Sequence, residues 1–166
     1  MEAQINAYST KELTFKVSFF DIWGGCIMKT VTREMVRLYN LRKLGYDFMG
    51  YNIHNVEKLS FHHLIVPKRD CKKEGLGDGY FMWNGAILVQ ETSHDYLHII
   101  ERLDRDMFLE ITKLMIEQNK NERLDLESLR RIREILLAFE REHAQDTTSK
   151  GKKLIRRQYI QDRIKL

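Results

Sequence analysis

Short apolar runs and helically spaced apolar residues alternate along the chain, and the change of spacing separates the predicted elements. Residues 59–66, LSFHHLIV, and 85–90, GAILVQ, have the length and composition typical of strands. Residues 67–83 between them form a basic, glycine-bearing segment that is too long for a tight hairpin turn. The pattern therefore predicts two strands joined by a long loop.

A helix is predicted directly after the second strand. Thr92 or Ser93 is the expected N-cap, because hydroxyl side chains bond the first free N–H groups of a helix. Apolar residues follow at helical spacing, namely Leu97, Ile100 and Leu103. The two strands, the loop and this helix make up one predicted unit, residues 57–103.

Two further helices, over about residues 104–118 and 125–143, are predicted to form a helical extension spanning 104–145. Asp125 is a plausible N-cap of the second helix. That helix carries an apolar stripe, which we interpret as core packing, made of Leu129, Ile132, Leu136 and Phe139. The chain then ends in a predicted basic tail, residues 146–166, with Lys150, Lys152, Lys153, Arg156, Arg157, Arg163 and Lys165.

The N-terminal part of the chain divides at Met28. Residues 28–56 are predicted to form a helical segment, with Thr32 as N-cap of a helix that runs to about Gly45. Residues 1–27 mix β-leaning apolar residues with no clear period. Because the sequence from Met28 resembles a natural beginning, we hypothesise that the first 27 residues are a translated leader. An ordinary N-terminal strand or arm is the alternative.

Composition narrows the class of protein without fixing its function. The 166 residues are 43% hydrophobic and 31% charged, which suits one α+β domain with helical decoration. No apolar run approaches the roughly 18 to 20 residues that span a bilayer, and no secretory signal is visible, so we expect a cytoplasmic protein without a membrane partner. The net charge of +4 permits a nucleic-acid partner without demanding one.

The cysteines do not indicate a metal or disulfide framework. Cys26 and Cys71 are the two in the chain, and they form no C-x-x-C spacing. A zinc knuckle built from cysteines is thereby excluded.

Four of the six histidines fall within the strand–loop–strand–helix unit. His62 and His63 are neighbours in the first strand, where successive side chains point to opposite faces. His94 and His98 are four residues apart in the helix, so both rings lie on one helix face, as two ligands of one metal should. Each histidine pair alone is weak evidence for a metal site, since such spacings are common by chance. Their order together, with Asn84 just before the second strand, is much more informative.

This H-H…N…H-x-x-x-H pattern resembles that of the HNH endonucleases, the ββα-metal or His-Me finger nucleases. The resemblance covers about residues 57–101, and FHHLIVPKRD, NGAILVQ and SHDYLHIIE are similar to segments of small HNH proteins of bacteria and their phages. It implies an α+β fold with a ββα-metal core, a long inter-strand loop, and flanking N-terminal and C-terminal helices. It also implies hydrolysis of DNA phosphodiester bonds with one divalent metal ion.

The resemblance assigns roles residue by residue. His62 resembles the metal ligand of the strand and His63 the general base. His94 resembles the ligand from the helix, and His98 resembles a third ligand or a phosphate contact. Asn84 resembles the asparagine that ties the inter-strand loop and keeps the base aimed. Mg²⁺ is the ion expected first, although imidazole ligands also suit Zn²⁺, Mn²⁺ or Ni²⁺.

Three departures from the family pattern affect these roles. Pro67 lies four residues after His63 rather than three. Either the strand end carries a one-residue bulge, or the register is shifted and the roles of His62 and His63 are exchanged. The cysteine pairs of a second, structural zinc are missing. Glu57, the nearest acid before the histidine pair, lies five residues before His62.

Cationic residues near the predicted site are candidates for binding DNA phosphates. The loop supplies Lys68, Arg69, Lys72 and Lys73. Solvated loop lysines are the alternative interpretation. The basic tail could add to this charge, and Arg102 and Arg105 are weaker candidates. A phosphate contact by Ser93 is less favoured than its role as a cap.

Two alternative functions stay open from the sequence. The histidines could hold zinc in a non-catalytic nucleic-acid-binding or structural protein, or the same site could cleave RNA. The sequence encodes no recognisable base-reading module. With one site per chain, cleavage of both DNA strands would depend on a homodimer. His54 and His143 are expected to be ordinary surface or packing residues.

Overall fold

The computed structural model describes residues 30–143 and Arg163. The predictions for residues 1–27, and those for the basic tail other than Arg163, lie outside the described residues. The α+β class expected from the sequence is confirmed. The elements in chain order are α1 (Thr30–Leu38), α2 (Leu41–Leu44), β1 (Leu59–His63), α3 (Lys68–Cys71), β2 (Gly85–Val89), α4 (Ser93–Leu103), α5 (Arg105–Lys120) and α6 (Leu126–Glu142). Single turns of 3-10 helix, Val56–Lys58 and Met82–Asn84, precede the two strands.

The two strands form an antiparallel sheet with an unbroken register from Leu59 opposite Val89 to His63 opposite Gly85. All five residues of β2 are buried, and α4 and α5 pack against this strand. Within residues 30–143 and Arg163 no third strand joins the sheet, so β1 has an open outer edge. β1 ends at His63, three residues earlier than predicted, and the inter-strand segment contains α3 rather than only loop.

The C-terminal helices form largely as predicted. The four residues of the α6 stripe are all buried, and the Asp125 carboxylate caps this helix by accepting the Ser128 N–H at 2.8 Å. Asp104 caps α5 in the same way, accepting the Met107 N–H at 2.9 Å. Of the three apolar residues predicted at helical spacing in α4, Leu97 and Ile100 are buried, whereas Leu103, at its end, is 40% exposed.

The predicted helix from Thr32 to Gly45 is divided in two. α1 begins at Thr30, and Thr32 is a buried residue inside it rather than its cap. Asn40 interrupts the helix with φ +52°, a left-handed conformation that asparagine tolerates better than most residues. Gly45, also left-handed, ends α2 by donating its N–H to the Leu41 carbonyl at 2.9 Å.

A buried carboxylate, Asp47, joins the start of α4 to the sheet. Its Oδ1 accepts the N–H groups of Met49 and Tyr51, each at 2.9 Å. Its Oδ2 accepts the Val89 N–H at 3.0 Å and the hydroxyl of Ser93. Four donors in the interior thus converge on one side chain, which fixes where α4 leaves β2.

Ser93 therefore does not have either of its predicted roles. Its side chain is fully buried and bonded to Asp47, so it neither caps α4 nor reaches a phosphate. Thr92 occupies the cap position, but its hydroxyl donates to the Val89 carbonyl at 3.2 Å instead of accepting a helix N–H.

No helix within residues 30–143 is both long and apolar enough to cross a lipid bilayer.

Asp47 gives the fold a predictable pH dependence. Burial raises the pKa of Asp47 from 3.8 to about 6, although the hydrogen bonds from Ser93, Tyr51, Val89 and Met49 oppose the shift. The folded protein then binds this proton more tightly than the unfolded chain, so stability falls as pH rises from about 4 through about 6. Over that window Asp47 should contribute a loss of roughly 3 kcal/mol, since each pKa unit corresponds to about 1.4 kcal/mol.

Asp47→Asn should flatten this part of the pH profile, whatever its effect on stability at one pH. Chemical denaturation between pH 4 and pH 7 measures the free energy of unfolding, with the exposed Asp106→Asn as the matched charge control. If the free energy of unfolding depended on pH in the same way for wild type and Asp47→Asn, the raised pKa of Asp47 would be contradicted.

Candidate metal centre

Three imidazoles from β1 and α4 converge on one point. The ring centroids of His62, His94 and His98 lie 5.1 to 5.2 Å apart, and their candidate ligand atoms lie within 4.8 Å of one another. His94 and His98 share a face of α4 because they are one helical turn apart. The packing of α4 against β2, the strand paired with β1, then brings that face against His62. The structure thus brings together the three residues predicted as ligands, and their binding of a metal stays a prediction.

Two oxygen atoms set the proton positions on the helix histidines. The Ser60 hydroxyl donates to the Leu88 carbonyl at 3.2 Å, so it accepts from Nδ1 of His94, which is 2.6 Å away. The Glu101 carboxylate, which can only accept, lies 3.1 Å from Nδ1 of His98. These contacts favour the tautomer that carries hydrogen on Nδ1 and presents the Nε2 lone pair, the arrangement found in most metal-binding histidines.

Ser60 and Glu101 were missed from the sequence. Ser60 is two residues before His62 and so shares its strand face, and Glu101 is three residues after His98 and so shares its helix face. Both spacings were visible, but serine and glutamate at such spacings are too common to single out.

The electrostatics of the cluster suit a cation. Burial, followed by the neighbouring charges of His94, His98 and His63, lowers the pKa of His62 well below its ordinary value. Burial and His98 likewise lower the pKa of His94 to about 4, although Asp95 opposes the shift. Both imidazoles are thus neutral at pH 7 and can bind a metal without losing a proton. These three nitrogen donors therefore fit a divalent metal ion.

His63 lies on the opposite face of β1, as the alternation of strand side chains predicts. Its ring contacts those of Phe61 and Tyr80, with centroids 5.0 and 5.1 Å away, and its Nε2 is 3.4 Å from the Asp78 carbonyl oxygen. The loop can approach this closely because residue 79 is glycine, with φ +73°. A Cβ atom at this position would overlap Cys71 Sγ and crowd the His63 ring.

The spacing of four residues between His63 and Pro67 does not come from a bulge in β1. Pairing continues regularly through His62 opposite Ala86 and His63 opposite Gly85. Residues 64–66, between the end of β1 and Pro67, form a bend. Because His62 faces α4, an exchange of roles between the two histidines is not supported.

Asn84 makes the hydrogen bonds expected of it. Its Oδ1 accepts the N–H groups of Ile65 and Val66, at 3.0 and 2.8 Å. Its Nδ2 donates to the carbonyls of Val66 and Gly79, at 3.0 and 3.2 Å. One buried amide thus ties the residues that follow β1 to Gly79 in the later part of the inter-strand segment.

A cavity of about 770 Å³ runs along the open edge of β1. This position explains how His62 and His63, which point to opposite faces, both line it together with His94 and His98. Cationic and acidic residues at its walls are Lys68, Arg69, Arg105, Glu57 and Glu101.

The four cations predicted for the loop divide into two groups. Lys68 and Arg69 line the cavity, whereas Lys72 and Lys73 are not among its lining residues. Lys73 instead pairs with Asp70 at 3.5 Å. Among the weaker candidates, Arg105 also lines the cavity. Arg102 is not among the lining residues and donates to the His98 carbonyl at 3.2 Å.

The remaining basic and histidine candidates lie elsewhere. Arg163 of the basic tail forms a buried ion pair with Glu140 at 2.8 Å, so it is not a phosphate contact. His54 is exposed. His143 lies 3.6 Å from Asp104 and packs on the Phe139 ring, in keeping with an ordinary packing role.

Comparison of the chain with protein-family models, with curated proteins and with solved structures finds no match in any of the three.

The geometry predicts a metal ion bound by the three converging histidines. Changing His62, His94 or His98 singly to alanine should lower Zn²⁺ affinity by more than about 100-fold, because losing a ligand exceeds the 10–100-fold cost of losing an outer partner. His63→Ala is the matched control and should bind Zn²⁺ as wild type does. Isothermal titration calorimetry measures both affinity and stoichiometry. Equal affinity in all four variants would place the metal elsewhere.

Proposed function

We propose that this protein is a metal-dependent HNH-type endonuclease that hydrolyses DNA phosphodiester bonds, with β1, β2 and α4 as its ββα-metal core. The observation that carries the proposal is the placement of two neighbouring histidines on opposite faces of β1. His62 faces two more imidazoles at a common point, while His63 reaches the same cavity from the opposite face of the strand.

Phosphodiester hydrolysis needs help at three points. The anionic phosphate repels nucleophiles, the attacking water must lose a proton, and the departing oxygen must accept negative charge. A divalent ion held by His62, His94 and His98 would act as a Lewis acid toward the phosphate and leaving oxygens. The protein must therefore supply the base and hold the phosphate chain in place.

His63 is the proposed general base. The carbonyl of Asp78 can only accept a hydrogen bond, so its contact with Nε2 favours hydrogen on that nitrogen and makes Nδ1 the basic one. A neutral imidazole at this position can take a proton from water near neutral pH. Asn84 and the close approach of Gly79 keep the ring aimed at the cavity.

Lys68, Arg69 and Arg105 are the proposed phosphate contacts, since they line the cavity that holds the histidines. Contacts of this type give affinity that falls with salt and depends little on base sequence. Among divalent ions, three nitrogen ligands favour Zn²⁺, Mn²⁺ or Ni²⁺ over Mg²⁺, which prefers oxygen.

A second candidate function is a non-catalytic protein in which zinc joins β1 to α4. The burial of His62, which is 5% exposed, favours this alternative, because structural zinc sites are closed and stabilise the fold. The two functions differ at His63, which a structural site does not use. They also differ in the need for a cavity beside the metal.

The proposal predicts that His63→Ala loses cleavage while keeping its fold and its metal. Plasmid nicking with Mn²⁺, Zn²⁺, Ni²⁺ or Mg²⁺ should fall by about 100-fold or more relative to wild type, because general-base catalysis contributes about that much. EDTA should abolish wild-type nicking. His54→Ala, which removes an exposed histidine elsewhere, should cleave as wild type does.

Folded, metal-loaded wild-type protein that cleaves no nucleic acid with any of these ions would reject the nuclease and favour the structural zinc site. Parallel assays with single-stranded RNA separate the DNase from an RNase that uses the same residues. Cleavage by His63→Ala at the wild-type rate would remove this residue from the mechanism.

A further inference from the structure

One carboxylate connects the metal centre to the cationic wall of the cavity. Glu101 on α4 places Oε2 3.1 Å from Nδ1 of His98 and accepts from Nη1 of Arg105 through Oε1 at 3.0 Å. All three residues line the cavity beside β1. Each oxygen of Glu101 thus serves a different partner.

Stability of the fold does not explain this arrangement. The side chains of His98, Glu101 and Arg105 are 48%, 37% and 61% exposed, and ion pairs this accessible to water contribute little to folding. The consequence of the contacts is instead to restrict orientation. His98 is held with Nε2 as the lone-pair nitrogen, and Arg105 is held at the cavity wall over the Phe108 ring, 4.9 Å from its centroid.

Arg105 keeps donors for a ligand while it is held. A guanidinium has five N–H donors in a planar fork, and the bond to Glu101 uses one nitrogen. That fork matches the oxygens of a phosphate group, so an anion in the cavity can be bound at the same time.

We propose that Glu101 is a positioning residue that links the two halves of the site, fixing His98 for a divalent ion and holding Arg105 to bind a nucleic-acid phosphate beside it. This inference rests on the proposed function for the identity of the anion. A cation at Nε2 would polarise the His98 ring and strengthen the hydrogen bond from Nδ1 to Glu101. The other oxygen of the same carboxylate would hold Arg105 beside that ion. Metal and phosphate should therefore bind cooperatively.

The test compares Glu101→Gln with Glu110→Gln. Both remove one carboxylate that pairs with an arginine, but Glu110 pairs with Arg131 on α6, at 2.7 Å and away from the histidines. Zn²⁺ affinity is measured by calorimetry, and thermal unfolding checks that both variants fold. Glu101→Gln should lose about 10–100-fold in Zn²⁺ affinity, the usual cost of losing an outer partner of a metal ligand. Glu110→Gln should stay within about twofold of wild type.

The phosphate half is tested with a fluorescein-labelled 20-base-pair DNA duplex, using His63→Ala as the parent so that the DNA stays intact. Fluorescence anisotropy with and without Zn²⁺ should show tighter binding with the ion, and adding Arg105→Ala should reduce the affinity with Zn²⁺ by about tenfold. The same substitution should leave Zn²⁺ affinity within about threefold.

Two results would overturn the inference: equal Zn²⁺ affinities for Glu101→Gln and Glu110→Gln, or unchanged DNA binding by Arg105→Ala. If wild-type protein nicks DNA and either result is found, this inference fails and the nuclease stands. If Glu101→Gln weakens Zn²⁺ binding and Arg105→Ala weakens DNA binding in a protein that never nicks, the linkage holds and the nuclease fails.

Discussion

The packing of α4 against β2, the strand paired with β1, is the contact on which the whole candidate site depends. It places two imidazoles of one helical turn against a third from β1, and no local segment of the chain could do this alone. Asp47 fixes the departure of α4 from β2 through four buried hydrogen bonds. The buried apolar residues of α4 pack against those of β2 and α5 and stabilise the position of α4. A small sheet is sufficient because helices supply its rigidity.

The open edge of β1 is the second constraint. If a strand were paired with β1 on each side, the sheet would keep the side chains of His62 and His63 in separate volumes on its two faces. Here the cavity runs along the edge, so side chains from both faces reach the same volume. The inter-strand segment then determines how His63 is presented, through the amide of Asn84 and the close passage of Gly79. Binding a cation and removing a proton can thus be assigned to neighbouring residues without competition between them.

The sequence predicts best where one element carries the information. The i, i+4 spacing of His94 and His98 and the alternation of His62 and His63 follow from helix and strand periods, and the structure agrees with both. The end of β1 was placed too late because residues 64–66 are apolar, although the Asn84 side chain captures two of their N–H groups and bends the chain. The spacing of Glu101 and His98 on α4 is visible but too common to single out. The contact of Ser60 with His94 and the burial of Ser93 against Asp47 depend on contacts between distant segments. Periodicity contains no information about such contacts.

The most direct test of the central claim is the coordination of a bound ion. X-ray absorption spectroscopy of the full-length protein loaded with one equivalent of Zn²⁺ should give about three imidazole nitrogens near 2.0–2.1 Å from the ion, the usual zinc–histidine distance. In His62→Ala the imidazole contribution should fall by one or the ion should be lost. A spectrum dominated by sulfur or carboxylate oxygen, or one unchanged by His62→Ala, would contradict the account.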